Sequence, residues 1–339
     1  MNVRPTAIDW TPDLPIFASE PYLKAAGDAY GWIGGSSPSG TLKCVLPYTV
    51  TRKAGLRIVR FRVATIPLGD ELDVAEEKAF LDAVIEHFRA AGMDMVVPAP
   101  ANVIFRTYPQ GAITAPYGTY VVDLRRTEEE LWAKLHSKHR NVVRNAIKNG
   151  VQVLTGAEPY DTAYELVRDT LTRSKLRFMS RAAFERYVRS LGDHVKVLIA
   201  QHEGKALGCA VLPFSQHGAH YVYGGTTLNP LTGAMNLLHW EAMRQFREQA
   251  VQRYDFVGAR INPEPNSKQA GLVMFKQRFG GELNEGFMWK YSLRPLKFAV
   301  YSLAMRYLRG GDVVDQERAR LQAPLAVAAA VTSGRDRQF

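Results

Sequence analysis

The order of strand and helix patterns between Val151 and Leu293 limits the possible folds of this chain more than any other feature of the sequence. One strand pattern is followed by two helical patterns, three closely spaced strand patterns, and then an alternation of helix and strand. This order excludes a doubly wound dinucleotide-binding fold and an all-β sandwich, and it predicts a mixed α/β sheet. The predicted helices are 161–174, 181–191, 234–249 and 268–279, and the predicted strands are 151–154, 195–201, 206–214, 219–225, 254–257 and 287–293.

A second set of patterns precedes this region. β-branched residues favour strands, and apolar residues at helical spacing predict a helix that begins at Asp73 and ends at Gly92. The predicted strands here are 42–50, 58–66, 93–97 and 120–124, with a long loop at 98–118. A chain of 339 residues commonly forms two domains. We therefore expect an N-terminal domain at 1–123, a C-terminal domain at 124–293, and a C-terminal helix with a poorly ordered tail at 294–339.

Composition narrows the classes of partner and site. Lys and Arg number 43 against 33 Asp and Glu, and this net charge of +10 predicts an anionic partner such as RNA, a nucleotide or a lipid. The two cysteines, Cys44 and Cys209, exclude a disulfide framework and a cysteine-rich metal site. No histidine has metal-ligand spacing, so we expect neither a metal nor another cofactor. The first residues lack the apolar core of a signal peptide, and we expect a cytoplasmic protein.

One long helix is predicted at Glu128–Asn149, after a capping-box pattern at Thr127 and Glu130. Between Leu131 and Gly150 it carries five basic residues and no acidic residue. These residues are candidates for contact with an RNA backbone or another anion, and the alternative is a solvated helix face. They are Lys134, Lys138, Arg140, Arg144 and Lys148.

Three segments, taken in order, resemble the FemABX family and the BioF2-like acetyltransferases of the GNAT superfamily. They are 132–153 (WAKLHSKHRNVVRNAIKNGVQV), 254–258 (YDFVG) and 271–283 (GLVMFKQRFGGEL). The element order after Val151 is also that of the GNAT fold. The resemblance implies an α/β fold with two GNAT-like domains, of which the second matches better. It implies transfer of an aminoacyl group from aminoacyl-tRNA to an amine, typically on a peptidoglycan precursor, with the first domain as scaffold and acceptor binder.

The resemblance places Lys276 at the active site and Phe275 in its lining. Aminolysis of an ester builds negative charge on the carbonyl oxygen, and a fixed cation such as Lys276 stabilises that charge. The alternative is a surface lysine on an amphipathic helix, with Phe275 in the core. Asp255 is a candidate base or structural residue, and Arg260 and Lys268 bracket a loop where they are candidates to bind a phosphate.

The strand predicted at 219–225 ends in the sequence YVYGGT. Gly224 and Gly225 permit a bulge whose N–H groups face the donor carbonyl. Tyr221 and Tyr223 are predicted to share one face, where either is a candidate proton donor or a core residue. We assign Tyr223 to catalysis and Tyr221 to substrate binding.

Three functions remain open from the sequence. The first is aminoacyl transfer to an amine acceptor that is linked to a nucleotide or a lipid. The second is N-acylation of a small amine by acyl-CoA or an acyl carrier protein. Residues 229–234 lack the glycine pair and basic lead-in that hold a pyrophosphate, so free CoA is expected to bind poorly. The third is a non-catalytic module that binds RNA or a membrane, and the nearly apolar helix at 294–308 either lies on an anionic membrane or docks on the protein core.

Overall fold

The computed structural model describes residues 1–69, 72–155 and 160–322. The strands are β1 (Asn2–Thr6), β2 (Ala29–Ser36), β3 (Leu42–Lys53), β4 (Leu56–Phe61), β5 (Ile66–Pro67), β6 (Met95–Val96), β7 (Ile113–Asp123), β8 (Gln152–Thr155), β9 (Val195–His202), β10 (Lys205–Ser215), β11 (Gly218–His220), β12 (Tyr223–Thr226), β13 (Arg253–Asp255) and β14 (Glu282–Ser292). The helices are α1 (Glu20–Ala25), α2 (Val74–Ala90), α3 (Glu128–Lys134), α4 (Ser137–Lys148), α5 (Tyr160–Arg173), α6 (Arg181–Leu191), α7 (Ala234–Glu248), α8 (Lys268–Gln277) and α9 (Pro295–Arg309).

The chain forms two compact units, and both are discontinuous in sequence. Unit 1 comprises Met1–Ile8, Gly27–Tyr117 and the chain from Glu285 onward, and unit 2 comprises Asp9–Ala26 and Gly118–Asn284. These units differ from the predicted domains 1–123 and 124–293, which were continuous. The reason is that β7 and β14 each supply residues to both units, a property that no local pattern reveals.

Unit 1 is built on an antiparallel meander of β1, β2, β3 and β4. β6 continues this sheet parallel to β4 and antiparallel to β14. Helix α2 begins as predicted, since the Asp73 carboxylate accepts the N–H of Glu76 at 2.7 Å and completes a capping box. It buries Phe80, Leu81 and Val84 against the sheet, as the helical spacing of these residues predicted.

Unit 2 has the strand order β7-β13-β11-β10-β9-β8, with β12 also paired to β10. Only the β11–β13 pair is parallel among the pairs described for this sheet. Alternate residues of β9 face opposite sides, because Leu198 packs with residues of α4 and α7 while Ile199 packs with residues of α5 and α6. The element order predicted after Val151 is therefore present, with helices on both faces of a mixed sheet.

Two predicted elements are each divided. The helix predicted at Glu128–Asn149 is broken at Leu135 and His136, which are extended. The break is stabilised because the N–H of His136 donates to the carbonyl of Arg278 at 2.9 Å, a contact distant in sequence. The strand predicted at 219–225 is divided into β11 and β12 by Tyr221 and Val222.

The two ends of the described chain also differ from expectation. Residues 9–26 had no predicted structure, yet the Ser215 hydroxyl donates to the carbonyl of Leu14 at 2.8 Å and the Tyr22 ring contacts Tyr187. The region after Gly310 was expected to be poorly ordered, but residues 313–322 are helical. The remainder of the predicted tail, residues 323–339, lies outside the described residues.

Candidate functional site

The central strands of unit 2 separate at one point, and the separation forms a wedge. The parallel pairing of β11 with β13 ends where His220 lies beside Asp255. Beyond this pair, β12 stays on β10, whereas Phe256 donates its N–H to the carbonyl of Tyr120 at 2.9 Å. Within residues 1–69, 72–155 and 160–322, β12 therefore has a strand partner on one edge only. We call the space between β12 and residues 256–259 the wedge.

Lys276 lies on α8 and reaches the segment after β13 that borders the wedge. Its Nζ donates to the main-chain carbonyls of Val257 and Gly258. An ammonium group has three N–H donors, so these two contacts leave one for a further acceptor. Burial lowers the pKa of Lys276 from 10.5 to about 8, and the nearby Asp255 carboxylate opposes that shift. A lysine held in this way is a cation of fixed position that titrates near neutral pH.

Asp255 organises the turn that Lys276 contacts. Its Oδ1 accepts the hydroxyl of Thr119 and, at 2.7 Å, the N–H of Val257. The Nδ1 of His220 lies 3.5 Å from its Oδ2. Burial raises the pKa of Asp255, but the contacts with His220, Thr119 and the Val257 N–H outweigh it and hold the pKa below 3.8. These bonds favour the structural interpretation of Asp255 over a catalytic base.

The two tyrosines do not share a face, so that prediction is wrong. The N–H of Val222 donates to the carbonyls of both Val211 and His220, and this kink interrupts the strand alternation. As a result, the Tyr221 ring contacts His239 with centroids 4.4 Å apart, whereas the Tyr223 ring lies 5.2 Å from Phe178 in the cluster under α5 and α6. Burial raises the pKa of Tyr221, so its phenol is neutral. Because its hydroxyl lies over Gly224 while the Tyr223 ring packs under α5 and α6, Tyr221 is the better candidate for a proton donor.

Gly224 and Gly225 have different surroundings. Thr170 and Arg173 of α5 bind the main-chain groups of Thr226, on the edge of β12 that faces away from β10. Because main-chain groups alternate between edges along a strand, the N–H of Gly224 faces that same edge. A Cβ on Gly224 would lie 1.7 Å from the Tyr221 hydroxyl, so this hydroxyl lies directly over Gly224. A Cβ on Gly225 would lie 2.3 Å from the carbonyl of Leu166, so Gly225 permits close packing of α5.

Phe275 belongs to a buried aromatic cluster beneath Lys276. Its ring lies 5.4 Å from His139, 5.6 Å from His239 and 5.1 Å from Phe279. The Nδ1 of His239 bonds to the Tyr254 hydroxyl at 2.8 Å, and burial lowers the pKa of His239 to about 3. His239 is thus neutral and links the cluster to Tyr221. Sequence reasoning missed both His239 and Thr119, because helical spacing marks His239 only as a core position and a lone threonine carries no signal.

The five predicted basic residues differ in their contacts. Lys134 pairs with Glu282 at 3.0 Å. Arg140 donates to the carbonyl of Leu135 and, at 3.0 Å, to that of Ala133, so it caps α3. Three further residues are exposed on α4, of which Arg144 also stacks on Trp132 at 5.3 Å. They are Lys138, Arg144 and Lys148.

The two predicted phosphate ligands lie at opposite ends of the loop that joins β13 to α8. Arg260 is half-buried near its start. Lys268 is exposed at the first turn of α8 and donates to the Ser174 hydroxyl at 2.9 Å. The described residues contain no group of three His, Cys, Asp or Glu side chains that could hold a metal ion.

Residues 135–264 match the family described as Acetyltransferase (GNAT) domain. The crystal structure of FemX superposes with a TM-score of 0.64 at 16% identity and covers 85% of this chain and 93% of its own. The chain has the fold of FemX. L-PGS from Bacillus licheniformis superposes with a TM-score of 0.50 at 12% identity, covering 85% of this chain and 91% of its own. The predicted mixed α/β fold class is confirmed, and the GNAT domain match lies within unit 2.

The sequence itself is similar to one characterised transferase. The Lipid II:glycine glycyltransferase of Staphylococcus haemolyticus (strain JCSC1435) is 28% identical over 123 residues, which are 36% of this chain and 29% of that protein. The chain thus matches less than a third of that relative's length. This similarity and the FemX fold confirm the predicted resemblance to the FemABX transferases. Within the described residues, no helix has both the length and the apolar character needed to cross a membrane.

Proposed function

We propose that this protein transfers an aminoacyl group from aminoacyl-tRNA to an amine on a cell-envelope precursor carried by a lipid or a nucleotide. The observation that carries the proposal is the Lys276 ammonium group at the border of the wedge. Two of its three donors bind the turn at Val257 and Gly258, and the third is available to a substrate oxygen. A donor fixed before the reaction stabilises developing charge without reorganisation, which is the requirement for an oxyanion site.

The reaction that fits this arrangement is aminolysis of an ester. The acceptor nitrogen attacks the donor carbonyl carbon, a C–N bond forms, and the carbonyl oxygen becomes negative. Lys276 and the N–H of Gly224 stabilise that oxygen. The C–O bond to the leaving ribose oxygen then breaks, Tyr221 gives its proton to this oxygen, and the proton lost by the amine restores the phenol. Tyr221 fits this role because its hydroxyl lies directly over Gly224, whose N–H is the second proposed oxyanion donor.

The surroundings of the wedge supply binding groups for a large anionic donor. Lys268 and Arg260 lie at the two ends of the loop beside Lys276 and are proposed to bind phosphate. The exposed cations Lys138 and Lys148 on α4 are proposed to contact the RNA backbone. The Phe275 and His239 rings lie 5.6 Å apart in the buried cluster, and this cluster is proposed to limit the access of water to the ammonium. Water exclusion strengthens every electrostatic contact at the site.

The comparisons support the class of reaction. The curated relative is named for transfer of glycine to Lipid II, and its similarity to this chain supports both an aminoacyl donor and a lipid-linked acceptor. The match to a GNAT domain over residues 135–264 supports acyl transfer in general.

The test is an assay of the purified protein with charged total tRNA and two sets of acceptors, which are UDP-linked and lipid-linked muropeptides. Mass spectrometry should detect an acceptor heavier by one aminoacyl residue. Lys276→Met should lower turnover by roughly a hundredfold, the size of the loss of one oxyanion donor. Lys205→Met, at the exposed lysine that begins β10, should leave turnover unchanged. Full activity in Lys276→Met, or acylation from acetyl-CoA alone, would contradict the proposal.

A further inference from the structure

Helix α9 in unit 1 presents an apolar stripe to solvent. Four large side chains on it, at spacings of four and three residues, are largely exposed. They are Leu296 (85% exposed), Val300 (70%), Leu303 (70%) and Tyr307 (91%). At 100° per residue, these four positions lie within a narrow sector of one helix face. A contiguous exposed apolar stripe of this kind is uncommon on a soluble protein surface and marks an interaction site.

The opposite face of α9 is the one that packs on the protein. Phe298, Tyr301 and Met305 are half-buried, and they lie about 180° around the helix from the apolar stripe. The Nζ of Lys297 also bonds to the buried carboxylate of Asp94 at 2.9 Å, which fixes the rotation of the helix. The helix is thus held in place by one face, and the stripe is left outward.

The charges on α9 are all positive. Lys297, Arg306 and Arg309 lie within it, Arg294 is its N-cap residue, and it contains no acidic residue. Arg306 and Lys297 lie at about 90° to either side of the stripe, so cations border the apolar surface on both flanks. Apolar side chains flanked by cations suit an interface where hydrocarbon lies beneath anionic headgroups.

We infer that α9 docks this protein onto an anionic lipid bilayer, with the helix lying in the plane of the interface. Its 15 residues span about 22 Å, which is too short to cross the hydrocarbon layer. A second copy of the chain is a poorer occupant, because pairing two such helices would bring their cations together with no acidic residue on either to compensate. The inference rests on α9 alone and would stand if the donor were not aminoacyl-tRNA.

The experiment measures sedimentation of the full-length protein with vesicles. One set of vesicles is phosphatidylcholine, and the other contains about one third phosphatidylglycerol. We expect binding to the anionic set that weakens as salt rises. Leu303→Glu should reduce binding at least tenfold, and Arg306→Gln should reduce it about fivefold, which corresponds to ~1 kcal/mol per cation near such a surface. The matched control is Leu228→Glu in unit 2, where the leucine is 75% exposed.

Each other outcome overturns the inference. Absence of vesicle binding by the unmodified protein would overturn it directly. Equal binding by Leu303→Glu and Leu228→Glu would assign the lipid contact to another surface. Self-association that Leu303→Glu abolishes, without vesicle binding, would assign the stripe to a second copy of the chain. Because Leu303 is exposed, both leucine variants should keep the circular dichroism spectrum of the unmodified protein. Turnover with a soluble UDP-linked acceptor should be unchanged in Leu303→Glu, which separates this test from that of the proposed reaction.

Discussion

The Lys276 ammonium group donates a hydrogen bond to the carbonyl of Val257, a β-branched residue. The φ of Val257 is +53°. β-branched residues rarely adopt this left-handed conformation, which costs free energy. The conformation persists because Asp255 holds the N–H of Val257 while Lys276 holds its carbonyl. One carboxylate and one ammonium thus fix the same turn from its two sides. The position of the proposed oxyanion donor is therefore set by main-chain geometry.

Asp255→Asn should destabilise unit 2 by ~3 kcal/mol, the typical cost of removing one charge from a buried charged network. The effect depends on pH. The pKa of Asp255 is held below its unfolded value, so its contribution is complete above about pH 5 and is lost as pH falls through the folded pKa. Urea unfolding from pH 7 to pH 3 should show that the difference in unfolding free energy between the unmodified protein and Asp255→Asn becomes smaller. Asp193→Asn, at an exposed aspartate, should have the same unfolding free energy as the unmodified protein at every pH. A stability difference for Asp255→Asn that does not change with pH would contradict the lowered pKa of Asp255.

Lys276 should show a pH dependence of the same sign, but in a higher pH range. Its folded pKa of about 8 lies below the ordinary 10.5, so between these values the unfolded chain binds more protons than the folded chain. The stability of the unmodified protein relative to Lys276→Met should therefore rise with pH across this window, by about 1.4 kcal/mol for each pH unit. Denaturant unfolding at pH 7, 8.5 and 10 measures it. The stability difference between the unmodified protein and Lys205→Met should not change over the same range. If the difference for Lys276→Met also does not change with pH, the pKa of Lys276 is not lowered by folding.

Two glycines should respond to alanine with opposite signs. Gly225→Ala would place a Cβ 2.3 Å from the Leu166 carbonyl, so α5 must shift, and we expect a loss of ~3 kcal/mol. Gly271, in α8, has nothing within 4 Å of the same position. Gly271→Ala should therefore stabilise the protein by about 0.5–1 kcal/mol through helix propensity. Thermal unfolding of both variants checks the pair, and a neutral Gly225→Ala would show that α5 does not pack on β12 as described.

Periodic local patterns predicted well those elements whose stability is local. Helices α2, α5, α6 and α7 begin and end within one or two residues of their predicted bounds, because their apolar spacing lies within the segment. The break at His136 and the kink at Val222 were missed, because each depends on a partner distant in sequence, the carbonyls of Arg278 and Val211. The same limit applies to the site. A motif pointed to Lys276, but its acceptors at Val257 and Gly258 and the separation of Tyr221 from Tyr223 emerge only from the folded sheet.

The exposed cations of α4 should contribute to RNA affinity, while its capping arginine should not. Lys138→Gln combined with Lys148→Gln should lower the slope of log affinity against log salt by about 1.5, since each phosphate contact contributes ~0.7–0.9. Arg140→Gln removes two bonds to the end of α3 and should lower stability by about 1–2 kcal/mol with little change in the slope. Filter binding of tRNA over a salt series and urea unfolding separate the effects. An unchanged slope in the double variant would mean that Lys138 and Lys148 contact solvent and not RNA.

Free CoA should bind this protein poorly. In CoA-dependent GNAT enzymes the pyrophosphate is held at the N-terminus of the helix that corresponds to α7. Here Gly233 caps α7 at a φ of +92°, and a Cβ on it would lie 2.6 Å from the Val142 carbonyl, so α4 covers this end of the helix. Residues 229–234 also supply no basic side chain. Each missing charge-assisted bond to phosphate removes ~1.5–3 kcal/mol, so losing two weakens affinity at least a hundredfold.

Calorimetry measures this directly, with acetyl-CoA titrated at micromolar concentration and an aminoacyl-tRNA titration of the same preparation as the positive control. We expect saturable heat from the tRNA and none from acetyl-CoA. If phosphate affinity is found, Lys268→Gln distinguishes binding at the α8 side of the wedge from binding at the N-terminus of α7. If acetyl-CoA binds and Lys268→Gln abolishes the binding, the pyrophosphate is held from the α8 side of the wedge, and the CoA-dependent N-acyltransferase becomes the better assignment. If neither donor binds while the fold is intact, the proposed reaction fails.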